Sequence, residues 1–152
     1  MLYKEIISPE MQLEWFHKIN NDRNYFYIVQ INDEYIGLAN IKNIENNAGE
    51  PGFFLGEEKF AQTNMTGLVN AIFGEFLFYT LGIETLYIHV RKDNPEAVKL
   101  NEFAGFKVVE EKSGPEFFYM ELTKATAWNN PKMEKLNKFL RKNIKSWIKT
   151  NF

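Results

Sequence analysis

The chain has 152 residues, with 18 Lys and Arg against 20 Asp and Glu, for a formal net charge of −2. That length supports one domain with a real core, and 14 phenylalanines predict an aromatic-rich one. With no cysteine present, disulfides, thiolate metal sites and cysteine nucleophiles are excluded.

No apolar run approaches a membrane span, and Met1–Glu5 do not read as a signal peptide, so a cytoplasmic protein is expected. The charge is uneven. Residues 125–152 hold seven basic residues against Glu134, a net of +6, which leaves −8 for the body before them. An acidic body argues against general nucleic-acid binding and suits a cationic amine. A merely solvated face is the plainer reading of the same charge.

In chain order, Ser8-Pro9-Glu10 starts a helix: a capping hydroxyl, a proline where no N–H is needed, and an acid in the first turn. Leu13, Phe16 and Ile19 are its expected buried face. Tyr25–Ile31 reads as a strand, Asn32-Asp33-Glu34 as a turn, and Tyr35–Ile41 as the return strand of an antiparallel hairpin. Asn46–Gly49 leads into a strand around Gly52–Leu55.

Met65, Leu68, Val69, Ile72, Phe73, Phe76 and Leu77 then recur at steps of three and four, the period of a helix, with Asn64 as its cap. Glu84–Val90 is short and rich in β-branched and aromatic residues, hence a strand. Asn94-Pro95 opens another helix with Ala97, Leu100, Phe103 and Ala104 facing inward, and Gly105 stops it. Phe106–Glu111 and Phe117–Leu122 are two further strands joined around Lys112–Pro115. The order β-β-β-α-β-α-β-β predicts an α/β (α+β) fold on a mixed, mainly antiparallel sheet.

The block Asp93–Phe106, D-N-P-E-A-V-K-L-N-E-F-A-G-F, resembles the N…A…LY…GF signature of the GNAT superfamily, the acetyl-CoA-dependent N-acetyltransferases. The preceding helix, ending F-L-F-Y-T-L-G-I-E-T-L, resembles the same superfamily. The resemblance spans about Ser8 to Lys124, and its nearest branch acetylates protein N-termini or amino-sugar nucleotides. Family members begin with a strand and a helix ahead of the segment like Ser8–Ile19, and only Met1–Ile7 stands there. That first strand is therefore lost, shrunken to Tyr3–Ile7, or supplied by another element.

The resemblance implies a coenzyme A cleft between Gly52–Leu55 and Leu86–Val90, with Phe54 and Leu55 beside the cofactor. The pyrophosphate would sit at Gln62, Thr63, Asn64, Met65, Thr66 and Gly67, where free N–H groups at a helix start favour anions. The family pattern there is Q/R-x-x-G-x-G/A. Ala61, Asn64 and Thr66 stand on it in one alignment, and Gln62, Met65 and Gly67 in another. Asn94 and Ala97 would contact the pantetheine arm, although Asn94 is equally a helix cap.

Three residues are catalytic candidates. Asn101 holds the position where the family has a tyrosine as acid; its amide can donate a hydrogen bond to a thiolate but delivers no proton. Tyr119 is the hydroxyl nearest by topology that could substitute, with packing the plainer role. Glu50 stands near the family's acid at the start of the splayed strand, as base for the amine or as simple surface charge; Glu57 and Glu58 follow. His89 fits acid–base work by residue type, with packing again the plainer role. His17 is expected on the surface. Neither histidine has a partner at metal-ligand spacing, so no metal is expected.

The resemblance thus implies an N-acetyltransferase using acetyl-CoA on a small-molecule primary amine. An amino-sugar nucleotide comes first, and a protein α-amine or small polyamine next. The alternative is a degenerate, non-catalytic domain that binds acyl-CoA or a protein. The chain divides into a domain over 1–124 and a basic amphipathic helical tail over 125–152. Trp128, Met133, Leu136, Leu140, Ile144, Trp147 and Ile148 lie opposite the tail's lysines. That stripe is expected to dock on sheet left bare by the missing front strand, on a second subunit as a homodimer contact, or on an anionic membrane surface.

Overall fold

The computed structural model describes residues 7–31, 33–56, 65–131 and 133–147. Six strands form one sheet: β1 (Tyr25–Ile31), β2 (Glu34–Glu45), β3 (Ala48–Leu55), β4 (Thr85–Arg91), β5 (Lys107–Val108) and β6 (Phe117–Thr123). Their spatial order is β1-β2-β3-β4-β6-β5. Neighbours run antiparallel except β3 and β4, which are parallel.

The hairpins follow from turn chemistry. Asn46 and Asn47 take φ values of 50° and 58°, the left-handed pair of a two-residue hairpin turn that asparagine tolerates. β2 therefore runs on to Glu45 and β3 starts at Ala48, longer than the expected strands. The expected strand Phe106–Glu111 is instead two residues followed by a 3-10 turn over Glu110–Lys112. There the Ser113 hydroxyl donates to the Val109 carbonyl and accepts from the Tyr119 N–H, both at 3.0 Å, bending the chain out of the ladder.

The core lies between the inner face of the sheet and helix α2 (Met65–Tyr79). Phe73, Phe76 and Leu77 pack against Ala39, Ile41, Leu86, Val90, Met120 and Leu122. Tyr27 meets Phe76 edge-on at 5.3 Å and Phe73 at 5.6 Å, the arrangement that aromatic quadrupoles favour. Leu68, expected on the inner face of α2, is exposed. The expected cap Asn64 lies outside the described residues.

Helix α3 (Pro95–Ala104) starts as its sequence dictates: the Asn94 side chain accepts from the Ala97 N–H at 3.1 Å. It ends at Gly105, whose φ of 107° a side chain would resist. Its phase differs from expectation. Ala97, Val98 and Ala104 pack on the core, while Leu100 and Phe103 are exposed. The inward stripe is one residue further round than the apolar pattern suggested.

Helix α1 (Pro9–Ile19) is capped by Ser8, which accepts from the Met11 N–H at 3.2 Å. Leu13 and Phe16 do not form a buried face; both are about half exposed, at 56% and 49%. Its aromatic contact to the sheet is Trp15, edge-on to Phe26 of β1 at 6.1 Å, and Trp15 is itself about half exposed, so the helix buries no face fully.

After β6 the chain forms α4 (Lys124–Trp128), a short helix that the periodicity did not suggest. It is fixed by a reciprocal cap between Thr123 and Thr126. Helix α5 (Glu134–Trp147) follows and packs chiefly against α2. Leu140 is fully buried, and the buried Asn137 donates to the Ala127 carbonyl at 3.2 Å. The side chains of Trp128, Ile144, Trp147 and Ile148 lie outside the described residues.

Candidate active site

The parallel pair β3–β4 is joined at only two positions, Ala48 with Thr85 and Gly49 with Leu86. Beyond them β3 continues to Leu55 along β2, and β4 continues to Arg91 along β6. The sheet therefore forks, and each strand carries backbone groups on its inner edge with no ladder partner across the fork.

Strand alternation sets what faces the fork. Leu86 and Val90 point to the core, which puts Tyr87, His89 and Arg91 on the outer face. Glu50, Gly52 and Phe54 share that face from β3, and Tyr119 and Glu121 share it from β6. Gly52 makes room for the side chain of its ladder partner Asn40: a Cβ at this position would stand 2.9 Å from the Asn40 Oδ1.

Glu50 is the first residue past the last ladder pair, and its Oε1 lies 3.1 Å from His89 Nδ1 on the other arm. This bond bridges the fork at its apex. Asn43 Nδ2 approaches the second carboxylate oxygen at 3.5 Å. Tyr119 lies opposite His89 in the ladder, with its ring edge-on to the imidazole at 5.3 Å and stacked on Tyr87 at 5.5 Å. Burial first, and then the Glu121 charge, push the Tyr119 phenol up to about 12. Burial, followed by the Glu50 charge, raises Tyr87. Both hydroxyls thus stay protonated near neutral pH and can donate hydrogen bonds.

Neighbouring charges are already matched. Lys112 pairs with Glu121 at 2.6 Å, Arg23 with Glu45 at 3.1 Å, and Arg91 clasps Asp93 through two bonds.

Of the candidates from sequence, Glu50 and Tyr119 meet on one face, with His89 between them. Asn101 does not join them. It sits on α3, which packs on the opposite, inner face, and its Nδ2 donates to the Ala97 carbonyl at 2.8 Å. Phe54 is exposed and Leu55 half-buried at the far end of β3. Asn94 and Ala97 stand where β4 hands over to α3. Gln62, Thr63 and Asn64 lie outside the described residues, as does the Met65 side chain. Thr66 and Gly67 occupy the first turn of α2, half-buried and exposed respectively.

The Glu50–His89 pairing, across 39 residues of sequence, is the feature that residue-by-residue reading missed. The signal for it is strand parity counted from the two ladder pairs. A shallow cavity of about 380 Å³ lies elsewhere, between the end of α3 and α4, lined by Phe103, Lys107, Thr126 and Asn130 among others. No residue of the fork touches it. Among the described residues no group of three or more His, Asp or Glu is placed to hold a metal, and no helix is long and apolar enough to cross a membrane.

Residues 3–117 match the family model described as acetyltransferase (GNAT) domain. Among solved structures, the chain resembles the Campylobacter jejuni N-acetyltransferase PseH in complex with acetyl coenzyme A. Identity is 23% and the TM-score 0.59, over 74% of this chain and 75% of that one. It also resembles spermidine N-acetyltransferase from Vibrio cholerae in complex with CoA and spermine, at 20% identity and TM-score 0.68 over 84% and 82%. A domain from Methanocaldococcus jannaschii matches at 20% identity and TM-score 0.64, over 80% and 79%. No curated protein matches the chain.

Proposed function

The chain belongs to the GNAT acetyltransferase domain family, and on that premise we propose that it transfers an acetyl group from acetyl-CoA to a small-molecule primary amine, with an amino-sugar nucleotide as the leading acceptor class. The carrying observation is the fork with Glu50 at its apex. A strand edge without a ladder partner favours an extended, amide-bearing arm, because each such arm satisfies backbone groups otherwise left to water. Acetyl-CoA has that arm and supplies an activated thioester. The inner edges of β3 and β4 suit its pantetheine, with Phe54 and Leu55 on one side and Asn94 and Ala97 at the end of the other.

The acceptor reaches Glu50 from the outer face. Its ammonium is drawn there by a carboxylate that is only 24% exposed, where charge attraction is screened less than at a free surface. Charge matching also bears on the acceptor. Glu45 and Glu121 are taken by Arg23 and Lys112, so Glu50 supplies attraction for one positive centre rather than for a row of them. This favours a single-amine acceptor over a polyamine.

Asn101 favours a second reading, a domain that binds acyl-CoA without turnover. It stands where the family has a proton-donating tyrosine, and its amide is bound back onto its own helix.

One pair of measurements tests the proposal. Acetyl-CoA at a hundred times its Kd adds about 2.7 kcal/mol to stability, a rise of roughly 5–10 °C in Tm for a chain of this size. Free thiol then appears with an amine panel led by amino-sugar nucleotides. A Tm rise without thiol release supports the binding module, and the absence of both responses overturns the proposal.

A further inference from the structure

We propose that His89 takes the proton from the acceptor's ammonium and that Glu50 is its positioning residue. This assignment rests on the acetyl-transfer reading above.

A carboxylate only accepts hydrogen bonds, so the 3.1 Å contact places the ring hydrogen on Nδ1. Fixing Nδ1–H leaves the lone pair on Nε2, the atom that then acts as base. Among the described residues nothing hydrogen-bonds Nε2. The imidazole is 46% exposed while Glu50 is 24% exposed, so an acceptor arriving from the outer face reaches His89 more readily than the carboxylate behind it. Tyr119 and Tyr87 wall one side of the ring.

The groups in contact with the ring are Glu50 of β3, Tyr87 of β4 and Tyr119 of β6; the further charges on this face are Arg91 of β4, Glu121 of β6 and Lys112 of the 3-10 turn, which lies over the Tyr119 ring. Arg91 is held by Asp93 and Lys112 by Glu121. Glu50 is the charged group bonded directly to the imidazole.

The ammonium passes one proton to Nε2 and becomes a neutral amine. The amine's lone pair forms the new C–N bond at the acetyl carbon as the C–S bond breaks, its electron pair leaving on sulfur. The second amine proton goes to that sulfur, giving the free thiol, and His89 returns its proton to solvent.

His89→Asn retains a donor toward Glu50 but has no base. With an alkylamine acceptor, kcat should fall about 100-fold, the size of a general-base contribution, with the KM for acetyl-CoA unchanged. With a hydrazide, whose nitrogen is already neutral, the loss should shrink to about threefold or less, because no proton need be removed before attack. Nitrogen-15 NMR of the wild-type imidazole at alkaline pH should show Nδ1–H with a bare Nε2, a preference lost in Glu50→Gln. Equal losses with both acceptors, an undiminished rate with the alkylamine, or an Nε2–H tautomer in the wild type would each overturn the assignment. Absence of any acetyl-CoA response in the wild type would instead sink the parent reading, while the NMR result still decides the Glu50–His89 pairing.

Discussion

Leu140→Ala tests whether α5 is part of the domain's core. Leu140 is fully buried on a helix whose main contact is α2. Truncation removes three heavy atoms from a packed site and leaves a cavity, which costs about 2–5 kcal/mol. Alanine is at least as good a helix former as leucine, so nothing is lost to local propensity. The loss is therefore one of packing between α5 and α2. At 2–4 °C per kcal/mol for a chain of this length, Tm should drop by roughly 4–20 °C. Thermal and urea unfolding measure it, with Lys142→Ala on the exposed side of the same helix as control, expected within about 0.5 kcal/mol. Equal stability of the two variants would refute the reasoning, since a helix that contributes no packing has no buried leucine to lose.

Asn94→Ala removes the cap on the Ala97 N–H and should cost about 1 kcal/mol in urea unfolding. Tyr119 should show a phenol step near pH 12 in an ultraviolet titration, absent in Tyr119→Phe. A pKa raised in the folded state means that its stabilisation is whole below about pH 10, the unfolded phenol value, and is lost as pH rises through 12. Asn101→Tyr supplies the hydroxyl that the amide lacks, and should raise thiol release by up to about 100-fold; an unchanged rate with acetyl-CoA binding intact assigns proton delivery elsewhere.

Local signals were legible in the sequence wherever one or two residues decide the backbone. Ser8-Pro9, Asn94-Pro95 and Gly105 mark helix ends that the structure reproduces. Helix phase was less legible, because it depends on what stands opposite. Leu13, Phe16, Leu100 and Phe103 are apolar at helical spacing yet exposed; on α3 Val98 takes the core contact instead, while α1 has no fully buried residue. Helix α4 did carry a signal, in the spacing of Thr123 and Thr126, but five residues are too few for periodicity to reveal. The site was half legible. Glu50, Tyr119 and His89 each stood out by residue type, but their meeting depends on β4 lying between β3 and β6, an order the chain does not follow.

The two-rung joint between β3 and β4 has a mechanical consequence. The sheet amounts to two antiparallel three-stranded blocks, β1-β2-β3 and β4-β6-β5, in which β1–β2, β2–β3 and β4–β6 are long ladders and the edge pair β5–β6 has two rungs. The seam between them is the shortest run of backbone stitching across the middle of the sheet. Pulling the blocks apart should open this seam first, and amide hydrogen exchange should resolve them as two cooperative units. An extended ligand lying along both inner edges would act as a splint, tying the blocks into one and slowing exchange on both sides together.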